Sequence, residues 1–364
     1  MVFLISMYKI RFPLMALGMI SLIIGLWTGL SRFGWDLPEL RTGLLEFHGP
    51  LMICGFLGTV IALERAVALD KGWAYIGPSL SAIGSIVTII APYNIAGRLL
   101  MTSASLLFVF VFIAILRRQF AAFTITMAFG ALVWFIGNIF WLIDYPVYLI
   151  VPWWAGFLIL TIAGERLDLS RLLAPKKSAY NIFAGANILF FIGIIYATYN
   201  TATDIRIFGL GIIVITIWLI GHDIVTKTIK QTGLTRFVAV CLLTGYFWLG
   251  ISGLLSFFGG EFVPGTPMYD AILHSLFLGF VLAMIFGHAP IIFPAVLQVP
   301  ILYSPLFYIH FAFLQISLLI RITGDIASLS QASKWGGLLN AVSLILFIVN
   351  TAIGGIRGLK SQKA

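Results

Sequence analysis

The residues of this chain best suited to chemistry are five histidines: His48, His222, His274, His288 and His310. Four of them stand in or beside long apolar runs, where an ionisable side chain is costly and so marks a candidate site. His48 occurs in Glu46-Phe-His48-Gly-Pro50 and His274 in Leu273-His274-Ser-Leu-Phe-Leu-Gly279, each near the start of its run. Imidazole is the commonest metal ligand and the usual axial ligand of haem iron, so two histidines on neighbouring helices could clamp a haem between them. The plainer alternative is two interfacial histidines, each bonded to a loop. His288, in His288-Ala-Pro290, and His310 form a second candidate, a metal pair with Tyr303 or Tyr308 nearby. Its plain alternative is a satisfied pair of core histidines. His222, in Gly221-His222-Asp223, reads as a solvated group at a helix end.

Two Glu-Arg pairs extend the inventory. Gly55-Phe-Leu-Gly-Thr-Val-Ile-Ala-Leu-Glu64-Arg65 and Gly156-Phe-Leu-Ile-Leu-Thr-Ile-Ala-Gly-Glu165-Arg166 share Gly, Phe, Leu, Ile, Ala, Glu and Arg at the same offsets. Gly279-Phe-Val-Leu-Ala-Met-Ile-Phe-Gly-His288 is a weaker third copy, with His288 in the slot of the two glutamates. Glu64, Glu165, Arg65 and Arg166 therefore line a candidate proton path with His288. The plainer reading has the arginines snorkelling to headgroups and the glutamates pairing locally. Cys54 and Cys241 lie in apolar runs without a CxxC spacing, which excludes covalent haem attachment and zinc-ribbon chemistry.

These residues need elements to hold them, and composition says which. Of 364 residues 61% are hydrophobic and only 10% charged, against about 25% charged in an ordinary soluble domain. A span takes about 20 apolar residues. On that measure helices are expected at 12–30, 46–69, 73–91, 96–116, 121–142, 146–164, 180–199, 205–221, 236–257, 269–293, 302–322 and 336–354. The fold class is thus an all-α polytopic membrane protein of about twelve transmembrane helices in one domain, 1–364. The repeated motif falls on the second, sixth and tenth spans. That implies three four-helix units in pseudo-threefold order, at about 1–116, 117–221 and 222–354. Trp153-Trp154, Trp134, Trp141, Trp35 and Trp73 are expected in an interfacial aromatic belt, and Asn138 as a polar link between helices.

Sixteen of the 22 Lys and Arg residues fall on the side that carries both termini, which places those termini in the cytoplasm by the positive-inside rule. The net charge of +9 is scattered beside the spans. Basic residues so placed orient helices and do not grip nucleic acid. No P-loop, HExxH, nucleophile elbow or dinucleotide fingerprint is present. At 100° per residue, His48 lies about 160° from Glu64 and His274 about 40° from His288, so the two outer histidines are not symmetry mates.

His48-Gly-Pro-Leu-Met-Ile-Cys-Gly55-Phe56 resembles the second helix of the NnrS family, and His274-Ser-Leu-Phe-Leu-Gly279 resembles its His-x-Leu-x-x-Gly segment. The resemblance implies twelve helices, haem and copper, and a link to nitric oxide metabolism in a bacterial inner membrane. The layout is also similar to the catalytic subunit of haem-copper oxidases, which holds a low-spin haem through histidines on helices 2 and 10. His48 and His274 carry over as haem ligands, and a b-type haem is expected. The consecutive His-His copper pair and a second histidine beside His274 are absent, so oxygen reduction is not expected. A redox partner or a small gaseous ligand is implied. The competing expectation is a proton-linked or small-solute transporter or channel with its path along His288, His310, Glu64 and Glu165.

Overall fold

The computed structural model describes residues 2–199, 205–260 and 262–362, with side chains from Lys9 onward. Lys363, one of the basic residues counted for orientation, lies outside them. Among the described residues, twelve helices are long and apolar enough to cross a membrane: α1 Lys9–Arg32, α2 Leu44–Leu69, α3 Gly72–Ile90, α4 Ile95–Arg118, α5 Ala122–Leu142, α6 Val147–Leu173, α7 Lys177–Tyr199, α8 Ile205–His222, α9 Gly233–Gly259, α10 Pro267–Leu297, α11 Phe307–Ile326 and α12 Ser330–Ser361. No strand occurs among the described residues.

Local chemistry sets the ends. Asn94 caps α4 by accepting from the Ala96 amide at 2.9 Å, and Thr266 caps α10 by accepting from Tyr269 at 3.3 Å with Pro267 at the first helical position. Asp70 and Gln298 stop their helices in the left-handed conformation. Ile188, Ile217, Ile309 and Ile316 are exposed along their spans. Rows of exposed isoleucine are expected where the solvent is lipid.

The chain packs as two compact units, Met1–Phe157 and Leu158–Ala364. In the first, small hydroxyls join the helices. Ser21 of α1 donates to Ser85 of α3 at 2.7 Å, Thr59 of α2 donates to Ser81 at 3.0 Å, and Ser81 donates to the Cys54 carbonyl at 2.7 Å. Asn138 is the polar link expected of it: its Oδ1 accepts from Trp154 at 2.8 Å and from the Cys54 thiol at 3.4 Å. The expected aromatic belt does not form at Trp134, Trp141, Trp153 and Trp154, which are all buried. Trp134 stacks on Phe157 at 4.6 Å, and Trp141 meets Trp154 edge-on at 5.7 Å. Large apolar rings gain more from packing on each other than from sitting at headgroups when the helices offer them a slot.

The second unit is organised around α9, α10, α11 and α12. Tyr246, Phe237 and Phe280 are fully buried there. Gly279 brings α9 and α10 together: a Cβ at this position would stand 2.4 Å from Cβ of Trp248. The motif phenylalanines Phe56, Phe157 and Phe280 are all core residues.

Candidate functional site

His48 follows a short turn at Leu44–Phe47. Its Nδ1 lies 2.7 Å from the Gly25 carbonyl of α1. A carbonyl only accepts, so Nδ1 carries the proton and Nε2 keeps its lone pair. Gly29 makes the approach possible, because a Cβ there would fall 2.8 Å from Cε1 of the ring. His274 repeats the chemistry in the second unit. Its Nδ1 is 2.9 Å from the Asp270 carbonyl one turn earlier and 3.1 Å from Oδ1 of the same residue. Arg321 of α11 holds that carboxylate with two bonds of 2.8 Å, from Nε to Oδ2 and from Nη2 to Oδ1.

A wide turn follows both histidines, starting three residues on from His48 and immediately after His274. Leu51–Gly58 and Ser275–Leu282 are π-helical. A π-turn closes on the fifth residue and takes up one additional residue, and such turns are frequent at functional sites. The 100° count therefore fails across these segments. With one residue absorbed, His48 comes to about 60° from Glu64 and His274 to about 140° from His288. Both angles move by the same step, so the asymmetry between the two histidines survives.

His288 and His310 take separate partners. His288 donates from Nδ1 to the Met284 carbonyl at 2.7 Å, and its Nε2 lies 3.3 Å from Nη2 of Arg166. A guanidinium only donates, so the Nε2 lone pair is engaged by a cation. Arg166 also faces Asp223 at 4.0 Å. Asp223 is fully buried, accepts from Tyr246 Oη, and accepts from the Val225 amide at 2.9 Å. His310 lies 3.1 Å from the Asn350 amide nitrogen through Nδ1. Its Nε2 is buried without a hydrogen-bond partner, among Phe237, Phe286, Phe307 and Phe347. Neither Tyr303 nor Tyr308 bonds to it. His222 donates to the Trp218 carbonyl at 3.0 Å and stacks on that indole.

Arg65 pairs with Glu64 at 3.8 Å in the first unit, the local pairing that was the plain alternative. In the second unit, Arg166 meets His288. No group of three or more His, Cys, Asp or Glu that could hold a metal occurs among the described residues. Sequence reasoning passed over Asp270, Arg321, Asp223 and Tyr246. The signal available was a carboxylate one helical turn before a candidate ligand, and a lone arginine inside the last third of an apolar span.

Twelve apolar helices of this length define a multi-pass membrane protein, and a solved structure defines its fold. The chain superposes on a chain from a cryo-EM structure of a heme-copper terminal oxidase dimer with a TM-score of 0.67 and 11% identity, over 96% of this chain and 84% of that one. The fold is therefore of the haem-copper oxidase type. No curated protein sequence matches. A family profile described as Domain of unknown function (DUF8744) matches residues 11–355, and the chain belongs to that family.

Proposed function

We propose that this protein binds a b-type haem in the membrane, with His48 and His274 as axial ligands. The observation that carries the reading is the shared state of the two rings. Each gives Nδ1–H to a carbonyl, so the tautomer puts the lone pair on Nε2, and a π-turn begins within three residues of each. Ligating histidines are commonly fixed in this way by a bond from the second nitrogen. The donor set therefore fits haem iron. A haem held by two imidazoles supplies one-electron transfer. The chain's own part is to fix both tautomers and, through Gly29, to seat the His48 ring against α1.

Copper fits less well. His288 would ligate through Nε2 only after losing Arg166, and the His310 ring is enclosed by Phe237, Phe286, Phe307 and Phe347. We read the protein as a haem protein without a copper centre. The resemblance of the His48 and His274 segments to the NnrS family supports a place in nitric oxide or redox metabolism, with a redox partner or a small gaseous ligand. The basic-residue bias supports a bacterial inner membrane with both termini in the cytoplasm. A transport path is not favoured. His310 lies in an aromatic box, and its hydrogen bonds run to Asn350 and not to His288.

The test is an absorption spectrum of protein purified from haem-replete cells, with a pyridine haemochromogen assay for haem type. A Soret band of b-type haem that is lost or shifted in His48→Ala and His274→Ala is expected. Colourless wild-type protein overturns the reading.

A further inference from the structure

His48 gives its Nδ1–H to a neutral backbone carbonyl, that of Gly25. His274 faces a carbonyl and also a carboxylate, Oδ1 of Asp270 at 3.1 Å. That carboxylate is built in. Arg321, itself buried, grips both oxygens, and the Asp325 carboxyl, with Ser333 beside it, stands next to the same group. Oδ2 of Asp325 is buried without a hydrogen-bond partner. The Asp270 carbonyl alone would fix the tautomer, so the carboxylate adds a charge beside His274 as well as a bridge from α10 to α11.

We propose that Asp270, steered by Arg321, sets the reduction potential of the haem through the Nδ1–H of His274. The proposal rests on the haem reading above. A carboxylate that accepts from Nδ1 draws the proton toward itself and leaves more negative charge on the ring. A more anionic ligand favours ferric over ferrous iron, so the potential falls. Arg321 draws charge out of the same carboxylate and so moderates the effect. The two residues act in opposite directions: loss of Asp270 raises the potential, and loss of Arg321 lowers it. Both are positioning residues, since neither touches the haem iron.

The experiment is a spectroelectrochemical titration of purified, haem-loaded full-length protein, for wild type, Asp270→Asn and Arg321→Gln. For Asp270→Asn we expect at least a tenfold shift of the one-electron equilibrium toward ferrous haem, which is about 59 mV upward. Arg321→Gln is expected to shift in the opposite sense. The near-infrared charge-transfer band of the ferric protein, which follows the charge on the axial imidazoles, should move in opposite directions in the two variants. Two coloured variants with potentials and band unchanged overturn the proposal and leave the haem reading intact. Colourless wild-type protein sinks both. If Asp270→Asn alone loses its haem, Arg321→Gln decides: a downward shift supports the proposal and an unchanged potential overturns it.

Discussion

Replacing Asp223 by asparagine changes one atom of the side chain and removes one charge. In the folded protein that charge faces Arg166 at 4.0 Å with both side chains buried. At an effective dielectric near 20, two unit charges at that distance attract by about 4 kcal/mol. The asparagine no longer bears the cost of burying a carboxylate, but it leaves a guanidinium without its counter-ion. Breaking one side of a buried pair typically costs about 3–5 kcal/mol, and that is the expected loss for Asp223→Asn. Asp223→Ala should lose more, because it also strips the acceptor from Tyr246 Oη and from the Val225 amide. Tyr246→Phe removes only one bond to a charged group, worth about 1.5–3 kcal/mol. Arg166→Leu combined with Asp223→Leu removes both charges at once and should recover much of the loss. The remainder reflects the His288 Nε2 left without a donor. The assay is equilibrium unfolding in mixed detergent micelles, followed by tryptophan fluorescence. The order expected is Asp223→Ala and Asp223→Asn least stable, Tyr246→Phe intermediate, and the double variant closer to wild type. An Asp223→Asn protein as stable as wild type would refute the idea that this pair anchors the second unit.

Other outcomes follow from single contacts. Gly29→Ala puts a methyl 2.8 Å from the His48 ring and should weaken the Soret band without unfolding the protein, read by absorbance and size-exclusion chromatography. Gly279→Ala drives a methyl to 2.4 Å from Trp248 Cβ, which has no flexible end to yield, and should cost about 1–3 kcal/mol in the same unfolding assay. Cys54 and Cys241 are buried, so new cysteines at Tyr93 and Lys360 can be labelled with a membrane-impermeant maleimide against little background. Labelling of the Tyr93 site alone in intact spheroplasts is expected, and labelling of the Lys360 site alone would reverse the topology.

The twelve spans were legible because lipid imposes its rule on every one of them: about 20 apolar residues, with punctuation at the ends. The span expected at 236–257 is Gly233–Gly259, and that at 96–116 is Ile95–Arg118. The last helix runs further than hydropathy suggests, to Ser361, because Arg357 and Lys360 continue a helix beyond its apolar part. The histidines were legible as types, but their partners were not. Whether Nε2 of His288 meets a metal or Arg166 depends on which residue the fold sets opposite, and the sequence carries no trace of that pairing. The tryptophans misled for a related reason. Trp134 and Trp154 read as interfacial by type, and only three-dimensional packing reveals the ring of Phe157 and the amide of Asn138 that bury them.

The π-turns had no sequence signal at all, and they bear on how the threefold motif came to differ between its copies. In α6 the same Gly-Phe motif sits in unbroken α-helix, and the positions that match His48 and His274 are Leu149 and Val151. The two copies with a histidine have the wide turn, and the copy without a histidine has none. One additional residue held in a π-turn leaves the helix on either side in phase, whereas one residue added to or taken from an α-helix rotates everything beyond it by about 100° and shifts it by about 1.5 Å. Deleting Phe277 from the π-turn of α10 should therefore leave the helix packed, turn the segment into ordinary α-helix, and disturb only the seat of His274. Deleting Leu160 from α6 should rotate Arg166 away from His288 and Asp223 and abolish the fold. Size-exclusion chromatography in detergent reads packing in both deletions, and the Soret band reads the seat of His274. A monodisperse Phe277 deletion with a shifted or lost Soret band, beside an aggregated Leu160 deletion, ties the wide turn to ligation. A monodisperse Phe277 deletion with an unchanged spectrum would show that the turn serves packing alone.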